Sequence, residues 1–206
     1  MEKFPVISIG RSFGAGGRAI GKSLSSILGY PFFDKELLKE SAKEFGFSSH
    51  IFARADEKKP SRFKRFVTQA YGVQDSYISD TLSPENIYQA QSLVIRSIAG
   101  RGPCIIIGRT ADYILRDFPG LVKVFVHAPL AYRARKIVER GDSPSEVEAI
   151  ELAKVKDRQR QEYYNYFTGR HWGVASNYDL TLDSSLLSVD ENASFIAEYA
   201  RKILER

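Results

Sequence analysis

The sequence predicts an α/β fold of three layers, a parallel sheet of about five strands with helices on both faces, and three observations carry that expectation. Four apolar runs are too short to be helices: PVISIG at 5–10, CIIIG at 104–108, VKVFVHA at 122–128 and DLTLD at 179–183, with PFFD at 31–34 as a fifth candidate. Helical patterns separate them, so consecutive strands are joined by right-handed crossovers and the sheet is parallel and covered on both sides. The length, 206 residues with 43% apolar side chains, suits one domain, 1–206, with one sizeable core.

The helices follow in order. Ile20, Leu24, Ile27 and Leu28 share one face of a helix that begins near Gly17, and Leu37, Leu38 and Phe45 mark a second. The segment 47–83 has weaker periodicity and many polar residues, and it is read as a mobile insertion over the site. Ser83 caps the next helix, with Pro84 at its first position, Ile87, Val94, Ile95 and Ile98 on its apolar face and Gly100 as its stop. Ser143-Pro144 opens another long helical stretch, and SVDE at 188–191 is a capping box before Phe195, Ile196, Tyr199 and Ile203. Sheets of this kind bind ligands beyond the carboxyl ends of their strands. That rule selects Gly10 onward, Asp34, Gly108-Arg109, Ala128 onward and Asp183 onward.

Composition narrows the partners. The net charge of +5 favours anions in general. No apolar run is long enough to cross a membrane and the N-terminus lacks a leader pattern, so no membrane partner and a cytoplasmic location are expected. The single cysteine, Cys104, lies in an apolar run and is read as a packed core thiol, which excludes an intrachain disulfide. His50, His127 and His171 share no ligand spacing, so no metal held directly by protein ligands is expected. The basic stretch Lys58, Lys59, Arg62, Lys64, Arg65 reads first as a solvated helix face and second as a surface for nucleic acid.

The stretch GRSFGAGGRAIGKS at 10–23 matches a phosphate loop in two registers. The literal G-x-x-x-x-G-K-S match, Gly16 to Ser23, makes Lys22 the phosphate lysine but starts the helix too late to use its apolar face. The favoured register begins at Gly10 and starts the helix near Gly17. Backbone N–H groups then converge on an anion at a helix N-terminus, Arg18 adds a full charge in the first turn, and Lys22 points to solvent.

The stretches GAGGRAIGKSLSSILGYPFFDKELL, PCIIIGRTADYIL, VFVHAPLAYRARKIVER, DRQRQEYYNYFTGRHWG and NYDLTLDSSLLS together resemble the cytidylate kinase-like family, relatives of the nucleoside monophosphate kinases. The resemblance covers nearly the whole chain. It implies a P-loop kinase fold with a monophosphate-binding insertion at about 47–83 and a lid at about 140–175. ATP with Mg2+ is then the donor, and CMP or a related monophosphate the nominal acceptor. Carried over by motif, Gly14, Ala15, Gly16, Gly17 and Arg18 hold the donor phosphates and Asp34 sits near magnesium or the acceptor, with Ser12 or a water on Asp34 standing in for the usual magnesium hydroxyl. Arg109 holds the acceptor phosphate with Asp112 nearby, and Arg133, Arg158 and Arg160 are lid arginines. The sequence departs from the pattern where Gly17 stands in place of the usual loop lysine and Thr110 in place of an aspartate.

Several of these residues have a plainer reading. Asp34 suits magnesium or the N-cap of the helix after it. Arg109 suits a phosphate fork or an ion pair with Asp112 or Asp117. The aromatic run Tyr163 to Phe167 with Trp172 either packs a loop or forms a wall for a base. Three functions are therefore carried forward: a nucleoside monophosphate kinase with Arg18 in place of the lysine, a nucleotide-binding sensor that transfers nothing, and, less favoured, a nucleic-acid-binding protein. A homo-oligomer is compatible with each.

Overall fold

The computed structural model describes residues 4–34 and 84–205. The strands are β1 (Val6–Arg11), β2 (Phe32–Phe33), β3 (Cys104–Ile107), β4 (Leu121–His127) and β5 (Leu180–Asp183). The described helices are α1 (Gly17–Leu28), α2 (Pro84–Ala99), α3 (Ala111–Ile114), α4 (Leu130–Glu139), α5 (Glu146–Thr168) and α6 (Val189–Leu204). The expected helix at Leu37, Leu38 and Phe45, the 47–83 insertion, the Lys58–Arg65 basic stretch and the Ser83 cap lie outside the described residues.

All five strands pair in parallel, in the order β2-β3-β1-β4-β5. The central strand β1 pairs Val6–Ile9 with Cys104–Ile107 of β3 on one side and Val6–Arg11 with Leu121–Val126 of β4 on the other. Alternation along these strands feeds two cores. Ile7, Ile9, Ile105, Ile107, Val122 and Val124 face α1 and α6, where Ile20, Leu24, Ile196 and Ala200 pack against them. Val6, Cys104 and Ile106 face the other way, onto Val94, Ile95 and Ile98 of α2 and Ala111 and Ile114 of α3. Three layers result, as the strand and helix alternation predicts.

Several local expectations shift. On α1 the buried stripe is Gly17, Ile20, Gly21 and Leu24, whereas Ile27 is 40% exposed. On α6, Ile196 is buried and Phe195 half exposed. The long helix α5 begins at Glu146 rather than at Ser143-Pro144, because the Ser145 side chain accepts the Glu148 N–H and caps it. The Ser188–Glu191 capping box forms as read, with reciprocal side-chain and backbone bonds. Cys104 is buried, and burial pushes its thiol up to about 12, so it is an inert core group.

Candidate active site

The loop between β1 and α1 is fastened at both ends of its arc. Phe13 donates its N–H to Asp157 on α5 at 2.7 Å, and its carbonyl accepts from Arg133 Nη1 on α4 at 3.0 Å. Arg133 Nη1 also pairs with Asp157 Oδ2 at 2.6 Å, and its Nε bonds the Ala128 carbonyl. On the other side the buried Ser184, just past β5, donates to the Ala15 carbonyl at 2.7 Å. Gly14 (φ 84°) and Gly16 (φ 74°) turn left-handed, and Gly16 caps α1 at Gly17. The loop thus enters the helix in the favoured register. Lys22 lies a turn further on and is exposed. The first-turn N–H groups of α1 have no partners within the helix, as in any helix start, and carry its partial positive charge.

Arg18 leaves this turn toward β2. Its Nε and Nη2 both donate to Asp34 Oδ2, at 2.8 and 2.6 Å, and the side chain is 60% exposed while Asp34 is buried. The Arg18 charge is therefore shared with a carboxylate at the carboxyl end of β2.

Beyond β3 the backbone takes three left-handed residues in succession: Gly108 (φ 69°), Arg109 (φ 60°) and Thr110 (φ 52°). Such angles cost a non-glycine residue about 1–3 kcal/mol, most for a β-branched one, and strain of this kind collects at functional sites. The turn sets Arg109 at the carboxyl edge of the sheet and starts α3, which brings in Asp112. Asp112 is buried and accepts the Tyr164 hydroxyl at 2.7 Å. Burial pushes its carboxyl above the usual range, while the Tyr164 hydrogen bond works against that rise. Burial and the Asp112 carboxylate in turn push the Tyr164 phenol up, so Tyr164 is a donor at every ordinary pH.

A cavity of about 280 Å³ joins these pieces. Its floor is Gly10, Arg11 and Gly108-Arg109, and its cationic wall is Lys156 and Arg160 on α5. Tyr163, Tyr164, Trp172 and Tyr178 close the remaining side. The aromatics are braced rather than loose: Trp172 and Tyr178 pack on Phe125, and Tyr163 leans on Phe167, which stacks on Tyr88 at 4.1 Å. Arg160 donates to the Arg11 carbonyl at 3.0 Å, and burial lowers its guanidinium to about 10.

The structure brings Arg109, Asp112 and Arg160 together around the cavity. Arg133 instead holds the loop, and Arg158 is exposed on α5. Three residues of the site escape sequence reasoning. Asp157 had no signal beyond a charged helix, and Tyr164 was one aromatic among several. Arg11 stood beside Gly10 in the loop motif, and only its three-dimensional surroundings mark it.

A glycine loop clamped between the first strand and helix, facing arginines at the ends of neighbouring strands in a 2-3-1-4-5 parallel sheet, is the architecture of a P-loop kinase fold. A gluconokinase from Sinorhizobium meliloti shares that fold with a TM-score of 0.57 at 15% identity, over 100% of this chain and 96% of that one. A shikimate kinase from Acinetobacter baumannii shares it at 0.51 and 14%, over 98% and 95%. An uncharacterized protein from Eubacterium ventriosum superposes with a TM-score of 0.72 at 25% identity, over 96% of this chain and 98% of that one. The chain belongs to the cytidylate kinase-like family, whose model matches residues 6–186. A cytidylate kinase from Methanosarcina acetivorans is 30% identical over 152 residues, 72% of this chain and 69% of the relative. One from Aeropyrum pernix is 30% identical over 105 residues, 51% of this chain, and the match spans 60% of that relative's length. Among the described residues no helix is long and apolar enough to cross a membrane.

Proposed function

We propose that this protein is a cytoplasmic kinase that transfers the terminal phosphoryl group of ATP to a nucleoside monophosphate, with CMP as the nominal acceptor. One observation carries the reading: a cavity lined by Arg11, Arg109, Lys156 and Arg160 opens beside a clamped glycine loop at the carboxyl ends of β1 and β3. The cytidylate kinase relatives agree with it and supply the acceptor named here.

Phosphoryl transfer asks for alignment and positive charge more than for covalent chemistry by the protein. An oxygen of the acceptor phosphate bonds to the γ-phosphorus while the bond from that phosphorus to the β–γ bridging oxygen breaks. The electron pair leaves with ADP, and the acceptor becomes a diphosphate. In this reading the loop N–H groups from Gly14 to Arg18 hold the donor, and Arg109 and Arg160 hold the acceptor phosphate. Arg133 and Asp157 keep the loop in shape, the segment at about 140–175 acts as the lid, and the segment at about 47–83 is the monophosphate-binding insertion. Magnesium would come with the nucleotide and neutralise its phosphate oxygens. Among the described residues no three His, Cys, Asp or Glu side chains cluster. Ser12 and the buried Asp34, at the loop's flank, are polar groups that would hold a hydrated ion.

A nucleotide-binding sensor is the second reading, favoured by Gly17 in the lysine position and by the hold of Asp34 on Arg18. Formation of ADP from Mg-ATP with each common nucleoside monophosphate, alongside ATP binding on the same preparation, separates the two. Acceptor-dependent ADP supports the kinase and names the acceptor; tight binding without transfer to any monophosphate supports the sensor.

A further inference from the structure

Arg11 is the last residue of β1, one position beyond Gly10 where the loop begins. Two glycines shape the path of its side chain. A Cβ built at Gly17 would lie 2.8 Å from Arg11 Cβ and 3.0 Å from its Cγ, so the stem runs across the start of α1 where any larger residue would push it away. A Cβ built at Gly108 would lie only 2.0 Å from Arg11 Nη1, so the guanidinium rests over the left-handed turn that presents Arg109. The side chain therefore spans from the glycine loop to the acceptor-side turn, along the cavity floor.

Its electrostatic setting is costly. Arg160 and Arg109 act on it as like charges, Arg18 is a third, and the acid that offsets them, Asp34, already accepts both Arg18 bonds. Among the described residues Arg11 forms no ion pair. Burial first, and these like charges second, lower its guanidinium well below the ordinary value. Burying a cation among cations is unfavourable unless an anion completes the site, and such unsatisfied charge is characteristic of groups kept for a ligand.

We infer that Arg11 is the cation that meets the terminal phosphoryl group of a polyphosphate lying across the cavity mouth, in the space that Gly17 and Gly108 leave open for it. The inference rests on the phosphoryl-transfer reading for its catalytic meaning, although the anion site stands without it. The planar guanidinium bonds two phosphate oxygens with a fixed parallel fork, whereas an ammonium is a point charge whose donors rotate freely. A lysine at 17 and Arg11 in its present path exclude each other sterically, and this gives the glycine there a physical reason.

The test uses the whole chain and inorganic pyrophosphate and ATP as probes. Trp172, the only tryptophan, lines the cavity and reports binding by fluorescence. Arg11→Gln should bind both probes roughly ten- to a hundredfold more weakly than the parent. Its thermal midpoint without ligand should be equal or higher, because a like-charge repulsion is removed. Arg11→Met, which keeps an apolar stem against Gly17, serves the same comparison if glutamine disturbs folding. Probe affinity unchanged in either variant overturns the inference, as does a parent that binds neither probe. A chain that folds with neither residue makes Arg11 a structural cation and also overturns it. Arg11-dependent binding in a parent that phosphorylates no nucleoside monophosphate upholds the inference and removes the kinase reading. Transfer by a parent whose probe binding ignores Arg11 does the reverse.

Discussion

Replacing Asp157 by alanine should release the phosphate loop, and its cost follows from the bonds it makes. The carboxylate accepts the Phe13 N–H at 2.7 Å and Arg133 Nη1 at 2.6 Å, and Arg160 Nη1 stands 3.7 Å away. Both members of the main pair are largely buried, with side chains 13% and 18% exposed. Alanine leaves the Phe13 amide without its acceptor, at about 1–3 kcal/mol, and strips a buried guanidinium of its counter-charge. Arg133 keeps its bonds to the Ala128 and Phe13 carbonyls, which limits the loss. The estimate is ~3 kcal/mol, the lower end of the range for breaking a buried pair. At about 3 °C per kcal/mol for a chain of this size, the thermal midpoint falls by ~9 °C. Asp157→Asn keeps an acceptor for Phe13 and should cost about half as much. Denaturant titration of Asp157→Ala, Arg133→Met and the double variant measures the coupling, expected near 2 kcal/mol. A cost below about 1 kcal/mol with negligible coupling would place the pair among ordinary exposed ion pairs and refute the clamp.

Other expectations concern single sites. Burial raises the folded-state pKa of Asp112, so the folded chain holds its proton more tightly than the unfolded one. Its contribution to stability is full below the unfolded value of about 3.9 and is lost as pH rises through the raised folded value. The midpoint of Asp112→Asn minus that of the parent should therefore grow across that window; a flat difference refutes the burial argument. Gly14→Ala places a Cβ 2.8 Å from the Arg133 backbone carbonyl at φ 84°, and denaturation should show a loss of about 2–4 kcal/mol. Ser8 on β1 is buried, and its hydroxyl has no hydrogen-bond partner among the described residues. Ser8→Ala should leave the denaturation midpoint unchanged or raise it slightly, since an unsatisfied polar atom is removed.

Much of the fold was legible because its signals are local. The five strands fall on the five apolar runs, with ends that differ by a residue or two; the inner strands β1, β3 and β4 are largely buried on both faces and so are mostly apolar. The start of α1 at Gly17 could be read from apolar spacing, and the Ser188–Glu191 box from four consecutive residues. The α5 start is not decided by sequence because Ser143 and Ser145 are equally good caps there, and the bond from the Glu148 N–H selects the second. Ile27 and Phe195 belong to the apolar patterns of their helices, yet both stay substantially exposed, because the contact between α1 and α6 covers only part of each apolar face.

What the sequence by itself determined, then, is the layered parallel sheet, the glycine loop after its first strand and the arginine after its third. These depend on hydrophobic period and on glycine, which act within a few residues. The tertiary structure alone decided which charges matter. It turned Arg18 onto Asp34, gave Arg133 and Asp157 to the loop as a clamp, left Arg158 exposed and drew Arg11 between two glycines 91 positions apart (108 − 17). Charge acts through space, and its neighbours are set by the crossing of chain segments that no local pattern encodes.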